Sequence, residues 1–223
     1  MAKKRVLAFM GYYLPGFKSG GPVRSLSNMV DNLNDSVEFF IVTRDRDLGD
    51  VKAYEIVLDR RDWMTVGAAQ VLYLPVGIGV FELWSMLRKI KPDFCYFNSF
   101  FDFRFSILPI LYLRILMVPF AKVIVAPRGE FSDAALSLKA LKKYFYIRMS
   151  KLFFIYRGVK FHASTAHEKD DIRGGFSKAA RISIASDLPA AFVPNLSGDG
   201  RQTVDVIRIV FLSRIAPMKN VDY

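Results

Sequence analysis

Short apolar runs of four to seven residues recur along the chain, and most are followed by a loop and then by apolar residues at helical spacing. This alternation limits the fold more than any single motif does. Repeated strand and helix closes most readily as a parallel sheet covered by helices, through right-handed crossovers. The runs at 5–10, 37–43, 71–76, 93–97, 122–126, 159–163 and 181–184 lack helical spacing and read as buried strands. Pro22 suits the first turn of a helix carrying Val23, Leu26, Met29, Val30 and Leu33. Further helices are expected at 81–90 (stopped by Lys91-Pro92), at 105–117, over a long stretch at 134–156, and from about Ala166. The charged, aperiodic stretch at 44–61 reads as an excursion over the surface.

The expected fold class is therefore α/β, a Rossmann-like parallel sheet with helices on both faces, over residues 1–185. Residues 186–203 turn Pro-, Gly- and Ser-rich and read as a linker. A new apolar strand at 206–212 then opens a second Rossmann-like domain at 204–223, which would make the chain part of a longer, truncated protein.

Composition narrows the function classes. With 52% hydrophobic and 14% aromatic residues, the 223-residue chain has the wrong balance for disorder. One cysteine, Cys95, and two histidines exclude a disulfide framework, a Cys-rich zinc site and a three-histidine metal site, and suit a reducing, cytoplasmic location. The apolar run at 6–10 is too short for a signal-peptide core. The 17 apolar-rich residues at 105–121 carry Arg114, Pro109 and Pro119, so they read as a buried helix rather than a membrane span.

Several positions could carry chemistry. Gly20-Gly21 lies between the first strand and a helix amino end, where free N–H groups and the helix dipole favour a phosphate; the alternative is a turn that only caps the helix. It is not G-x-G-x-x-G, and Thr43-Arg44 stands where a ribose-binding acid would be, which argues against a dinucleotide-dependent dehydrogenase. Arg128 and Glu130 follow the strand at 122–126, at the edge where such sheets bind ligands. Arg128 offers a fork for phosphate or carboxylate and Glu130 an acceptor for sugar hydroxyls, unless the two simply brace a turn. His162 lies within a strand and reads mainly as a buried neutral group with a partner. Thr165 and Glu168 have capping-box spacing, and Glu168 is also placed to touch a ligand.

The stretch 134–158 holds six basic residues and no acidic one, with Lys139, Lys142, Lys143, Arg148 and Lys151 interleaved among Leu, Tyr and Phe. Such a helix can lie on an anionic membrane, as a peripheral contact with the inner face, or it can be a core helix with a solvated basic back. No helix-turn-helix, RNP, KH or finger pattern accompanies the charge, so nucleic acid is not the expected partner. Arg214 and Lys219, five apart after the strand at 206–212, can converge on one diphosphate and stabilise the charge it gains as it departs, without a metal.

Taken together, Tyr13-Leu-Pro15, Gly20-Gly21, Ala126-Pro-Arg-Gly-Glu130, Phe161-His-Ala-Ser-Thr165 with Glu168, and above all Phe211-Leu-Ser-Arg214 through Lys219-Asn-Val-Asp222, form a recognisable set. The set resembles the retaining, nucleotide-sugar-dependent glycosyltransferases of the GT-B fold, family 4. The last segment looks like that family's G-R-x-x-x-x-K-G-x-D, with Ser213 and Asn220 in place of two glycines. The resemblance implies a cleft between two Rossmann-like halves, the amino half binding mostly the acceptor. Gly20, Gly21, Arg214 and Lys219 would meet the donor diphosphate, and Arg128, Glu130, His162 and Glu168 would be acceptor-side candidates. It also implies sugar transfer with retention to a cell-envelope or exopolysaccharide acceptor, saccharide or lipid-linked, with no metal or other cofactor. The rival readings are a non-catalytic membrane-surface domain and a sugar-nucleotide epimerase on the same scaffold.

Overall fold

The computed structural model describes residues 2–57, 62–75, 77–117 and 122–190. Its strands are β1 (Lys4–Phe9), β2 (Val37–Arg44), β3 (Met64–Val66), β4 (Ala69–Leu74), β5 (Phe94–Phe97), β6 (Lys122–Val125), β7 (Lys160–Ala163) and β8 (Arg181–Ile184). They form one sheet in the order β3-β4-β2-β1-β5-β6-β7-β8. Every neighbouring pair is parallel except β3 with β4. The chain is thus α/β with a mostly parallel, Rossmann-like sheet, as the alternation of apolar runs implied. From β1 the order grows outward through β2 to β4, and from β5 it grows the opposite way. The reversal between β1 and β5 opens a crevice beyond the carboxyl ends of the strands.

Successive strand residues serve opposite faces, because side chains alternate along an extended backbone. Leu7 and Phe9 join one core cluster, whereas Ala8 and Met10 join the other. The second cluster takes Val23, Leu26 and Val30 of α1 (Gly21–Leu33). The first takes Leu83, Met86, Leu87 and Ile90 of α2 (Val80–Ile90) and Ile110 and Leu113 of α3 (Leu108–Ile115). It also takes Ile147 of α5 (Ala140–Leu152) and Ile172 of α6 (Ala166–Gly175). Phe100, fully buried, sits at the hub of an aromatic cluster: it stacks on Tyr156 with ring centres 4.5 Å apart and meets Phe131 edge-on at 4.8 Å.

Four local features depart from the expectations or add to them. The helix expected at 134–156 is two: α4 (Asp133–Ser137), capped by Ser132, and then α5, with Lys139 left-handed at φ 56° between them. The break lets Phe131 and Leu136 fold back onto α6 at Gly175, where an added Cβ would come within 2.7 Å of Phe131. The helix expected at 105–117 begins as a π-helical turn (Phe103–Ile107), capped by Asp102, before α3. It is buried through Phe105, Ile107, Ile110 and Leu113, and the Arg114 guanidinium inside it donates to the carbonyls of Ile155 (2.7 Å) and Arg157 (2.6 Å). β3 was not anticipated; it pairs with β4 as a hairpin that turns at Gly67, φ 58°. Finally, 44–57 does run over the surface, exposed at 48–52, 55 and 56, but it is anchored through buried Asp45, Asp47 and Val57. Asp47 is buried and accepts from the amides of Phe17, Lys18 and Leu48, so its carboxylate pins the loop that carries Gly20.

Among the described residues no helix is long and apolar enough to cross a membrane. Residues 186–190 have no regular structure and run back along α1, where Asn28 donates to the Leu188 carbonyl (2.9 Å) and Asn32 to that of Pro189 (2.9 Å). The rest of the expected linker, the strand at 206–212, Arg214 and Lys219 lie outside the described residues.

Candidate functional site

Loops leaving the carboxyl ends of β1, β6, β7 and β8 line a cleft of about 410 Å³. α1 contributes Gly21, Pro22 and Ser25, and the loop after β6 contributes Arg128, Gly129 and Ser132. Ser164, Thr165 and Glu168 come from the start of α6, and Asp187 from the segment beyond β8. The structure therefore brings Gly21, Arg128 and Glu168 to one place.

The amino end of α1 is open. Gly20 adopts φ 74° and ψ −127°, a conformation that suits glycine, and no side chain caps the helix. A Cβ built on Gly20 or Gly21 meets nothing within 4 Å, so the space in front of the helix can admit a ligand atom. The macrodipole and the amides of the first turn favour negative charge there.

Arg128 lies behind that opening in strained backbone, left-handed at φ 55° and followed by Gly129 at φ 76°. Glu168 holds the strain in place. One of its oxygens accepts from the Gly129 amide (2.8 Å) and the other from the amide and hydroxyl of Ser164 (2.7 Å each). Thr165 caps α6 by accepting from the Glu168 amide (3.0 Å), which is one half of a capping box. The Glu168 carboxylate, however, serves Ser164 and Gly129 rather than closing the box. It lines the cleft, as expected, and both of its oxygens also hold the loops around it.

Every nitrogen of the Arg128 guanidinium has a partner. Nε donates to Asn98 Oδ1 (2.8 Å), Nη1 to Asp187 Oδ1 (2.5 Å) and Nη2 to the Tyr96 hydroxyl oxygen (3.1 Å). Asp187 also accepts from Ser25 (2.8 Å), so one carboxylate bridges the fork to the first turns of α1. Burial works to raise the Asp187 pKa, but the Ser25 hydroxyl and the Arg128 charge outweigh it and hold the group below its ordinary value. This carboxylate stands where an anionic ligand of Arg128 would bind, and its side chain is 43% exposed.

His162 is not in the cleft. It bridges Tyr96 to Ala185, with Nδ1 2.8 Å from the Tyr96 hydroxyl and Nε2 2.8 Å from the Ala185 carbonyl. A carbonyl only accepts, so Nε2 carries the proton and Nδ1 accepts from Tyr96. Burial raises the Tyr96 phenol to about 12, so it remains a donor. Glu130, expected at the ligand edge, is turned away from the cleft. Its buried carboxylate accepts from the Ser99 hydroxyl (2.7 Å) and from the amides of Phe100 and Phe101, bracing the loop after β5 instead of facing a sugar. Burial pushes its pKa up, against those donors and the nearby Lys143 charge.

Reading the sequence missed Tyr96, Asn98, Ser25 and Asp187. Tyr96 and Asn98 had a usable signal, since they end and follow a strand at the ligand edge. Asp187 had none, because it lies in what reads as a linker. No family model matches the chain, and no curated protein matches it.

Proposed function

We propose that residues 2–190 form the acceptor-side domain of a retaining, sugar-nucleotide-dependent glycosyltransferase. The observation that carries the reading is the cleft at the carboxyl edge, where the open end of α1 faces Arg128 across a floor of hydroxyls from Ser25, Ser132, Ser164 and Thr165. Hydroxyl groups of a saccharide suit such a floor, and a phosphate suits the open helix end; it would reach the Arg128 guanidinium by taking the place of the Asp187 carboxylate. Motif similarity adds Arg214 and Lys219, which lie outside the described residues, as the cations for the leaving diphosphate. Charge accumulates on that group as the glycosidic bond breaks, so fixed cations favour the transition state over the bound donor. Cell-envelope or exopolysaccharide intermediates, free or lipid-linked, are the proposed acceptors.

The test is calorimetric titration of the 223-residue chain with uridine and guanosine diphosphates, alongside a variant carrying Arg214→Ala and Lys219→Ala. Saturable binding by the parent, weakened at least about tenfold in the variant, is expected from the loss of two charge-assisted contacts. Equal affinity in the two proteins, or no binding in either, overturns the reading.

A further inference from the structure

Beyond β8 the chain continues as a strap, residues 185–190, that lends Asp187 to the cleft and then runs along α1. None of its residues is buried, so polar contacts hold it in place. Ser25, Asn28 and Asn32 stand at i, i+3 and i+7, on one face of α1. They meet consecutive residues of the strap. Ser25 donates to Asp187 Oδ2 (2.8 Å), Asn28 to the Leu188 carbonyl and Asn32 to that of Pro189 (2.9 Å each). At the start of the strap, His162 donates to the Ala185 carbonyl (2.8 Å), and the Ala185 amide donates to the Ala163 carbonyl (3.0 Å).

The ion pair at the middle of the strap is lopsided. Only 9% of the Arg128 side chain is exposed, against 43% for Asp187. Arg128 is also fixed from behind, since Glu168 clamps Gly129 next to it and its own Nε and Nη2 donate to Asn98 and Tyr96. The guanidinium therefore stays where it is, whereas the carboxylate rides on an exposed segment. Among the described residues, Asp187 is the one carboxylate that pairs with Arg128. A buried guanidinium stripped of its counter-charge is costly, so Asp187 leaves only in exchange for another anion.

We propose that Asp187 is a built-in stand-in for a ligand phosphate, and that residues 185–190 form a latch which that phosphate opens. A phosphate in front of α1 competes with Asp187 for two donors at once, Arg128 Nη1 and the Ser25 hydroxyl. It binds the open form better than the closed one by that exchange, and such differential affinity is what shifts a conformational equilibrium. With Asp187 displaced, the strap keeps only bonds to its backbone, and the part beyond Asp187 comes off α1. The coupling is reciprocal: loosening the strap tightens phosphate, and a ligand without negative charge leaves the latch shut. The latch rests on the reading of the cleft as a phosphate site, but not on which sugar or acceptor that site serves.

Inorganic phosphate is the probe, and the 223-residue chain with Ala190→Cys carries a nitroxide on the strap. Cys95 is fully buried and stays unlabelled. Phosphate should sharpen the nitroxide spectrum saturably, and chloride at equal ionic strength should not. In calorimetric titration Asp187→Asn should bind phosphate about two- to fivefold tighter, because the closed form loses its competing charge. Asn28→Ala with Asn32→Ala alters no group lining the cleft, yet it should also tighten phosphate and free the label beforehand. Saturable phosphate binding with an unmoved label overturns the latch, as does unchanged or weaker affinity in either folded variant. Should a variant fail to fold, the labelled parent decides, because Ala190 is exposed. No phosphate binding also overturns the latch, and the glycosyltransferase reading then stands or falls on the nucleoside diphosphate titration alone. Conversely, a strap opened by phosphate, with uridine diphosphate bound equally by the parent and the Arg214→Ala, Lys219→Ala variant, overturns that reading and keeps the latch.

Discussion

The two ends of the sheet use charge in contrasting ways. At the carboxyl end, Arg128, Glu168 and Asp187 each have more than one partner inside the molecule, and the loops take their shape from those bonds. At the amino end, Lys4 and Arg5 of β1 pair with Asp93 and Glu38, but along α5 Lys139, Lys142 and Arg148 form no ion pair among the described residues and stand near exposed aromatic rings. Engaged charge builds a site, whereas unanswered charge next to apolar surface points to a partner outside the chain. The aromatic cluster around Phe100 lies between these regions, touching Phe131 of the loop after β6 and Tyr146 on the inner side of α5.

Breaking that shared support should have the largest effect. Phe100→Ala removes a fully buried ring and should cost about 3–5 kcal/mol, read as a lower urea midpoint. Next comes Glu168→Ala, which strands the Gly129 and Ser164 donors. A loss of about 2–3 kcal/mol is expected, with the amides around 128–130 exchanging faster in hydrogen-exchange measurements. If stability is unchanged, Glu168 is not the scaffold of the cleft.

Asp187→Asn should be milder, about 0.5–1 kcal/mol, because the pair with Arg128 is partly solvated. Its pH dependence has a definite sign. Asp187 is held below its ordinary value, so its contribution is complete above about pH 4 and is lost as pH falls through the folded-state value. The asparagine variant should flatten that acid limb in unfolding measured against pH. Smallest of all, Leu141→Ser with Phe145→Ser should change stability by no more than about 0.5 kcal/mol, since neither side chain packs inward. A large loss there would erase the contrast between the two ends.

Much of this architecture was legible in the residue pattern. Seven of the eight strands stand out as short apolar runs because parallel strands are buried on both faces and so lack polar alternation. β3 escaped notice because three residues, none of them buried, carry too little periodicity to register. The break at Lys139 was equally invisible: Leu138 and Lys139 are good helix formers, and the demand that Phe131 reach Gly175 comes from tertiary packing. At the cleft, Arg128 was found from its place after a strand. Glu130, two residues on, shares that signal yet turns inward, because a neighbouring loop presents it with two amides and a hydroxyl. Residue type and position foretell which edge a side chain visits, but its direction follows from donors contributed by distant parts of the chain.

The line from Arg128 through Tyr96 and His162 to Ala185 has terminals that cannot exchange roles: a guanidinium has nothing to accept with, and a peptide carbonyl has nothing to give. Proton positions on the phenol and the imidazole are thus dictated from outside, like the sense of rotation in a gear train held at its first and last wheels. A replacement for His162 is tolerated there only if it takes a hydrogen at one tip and offers one at the other.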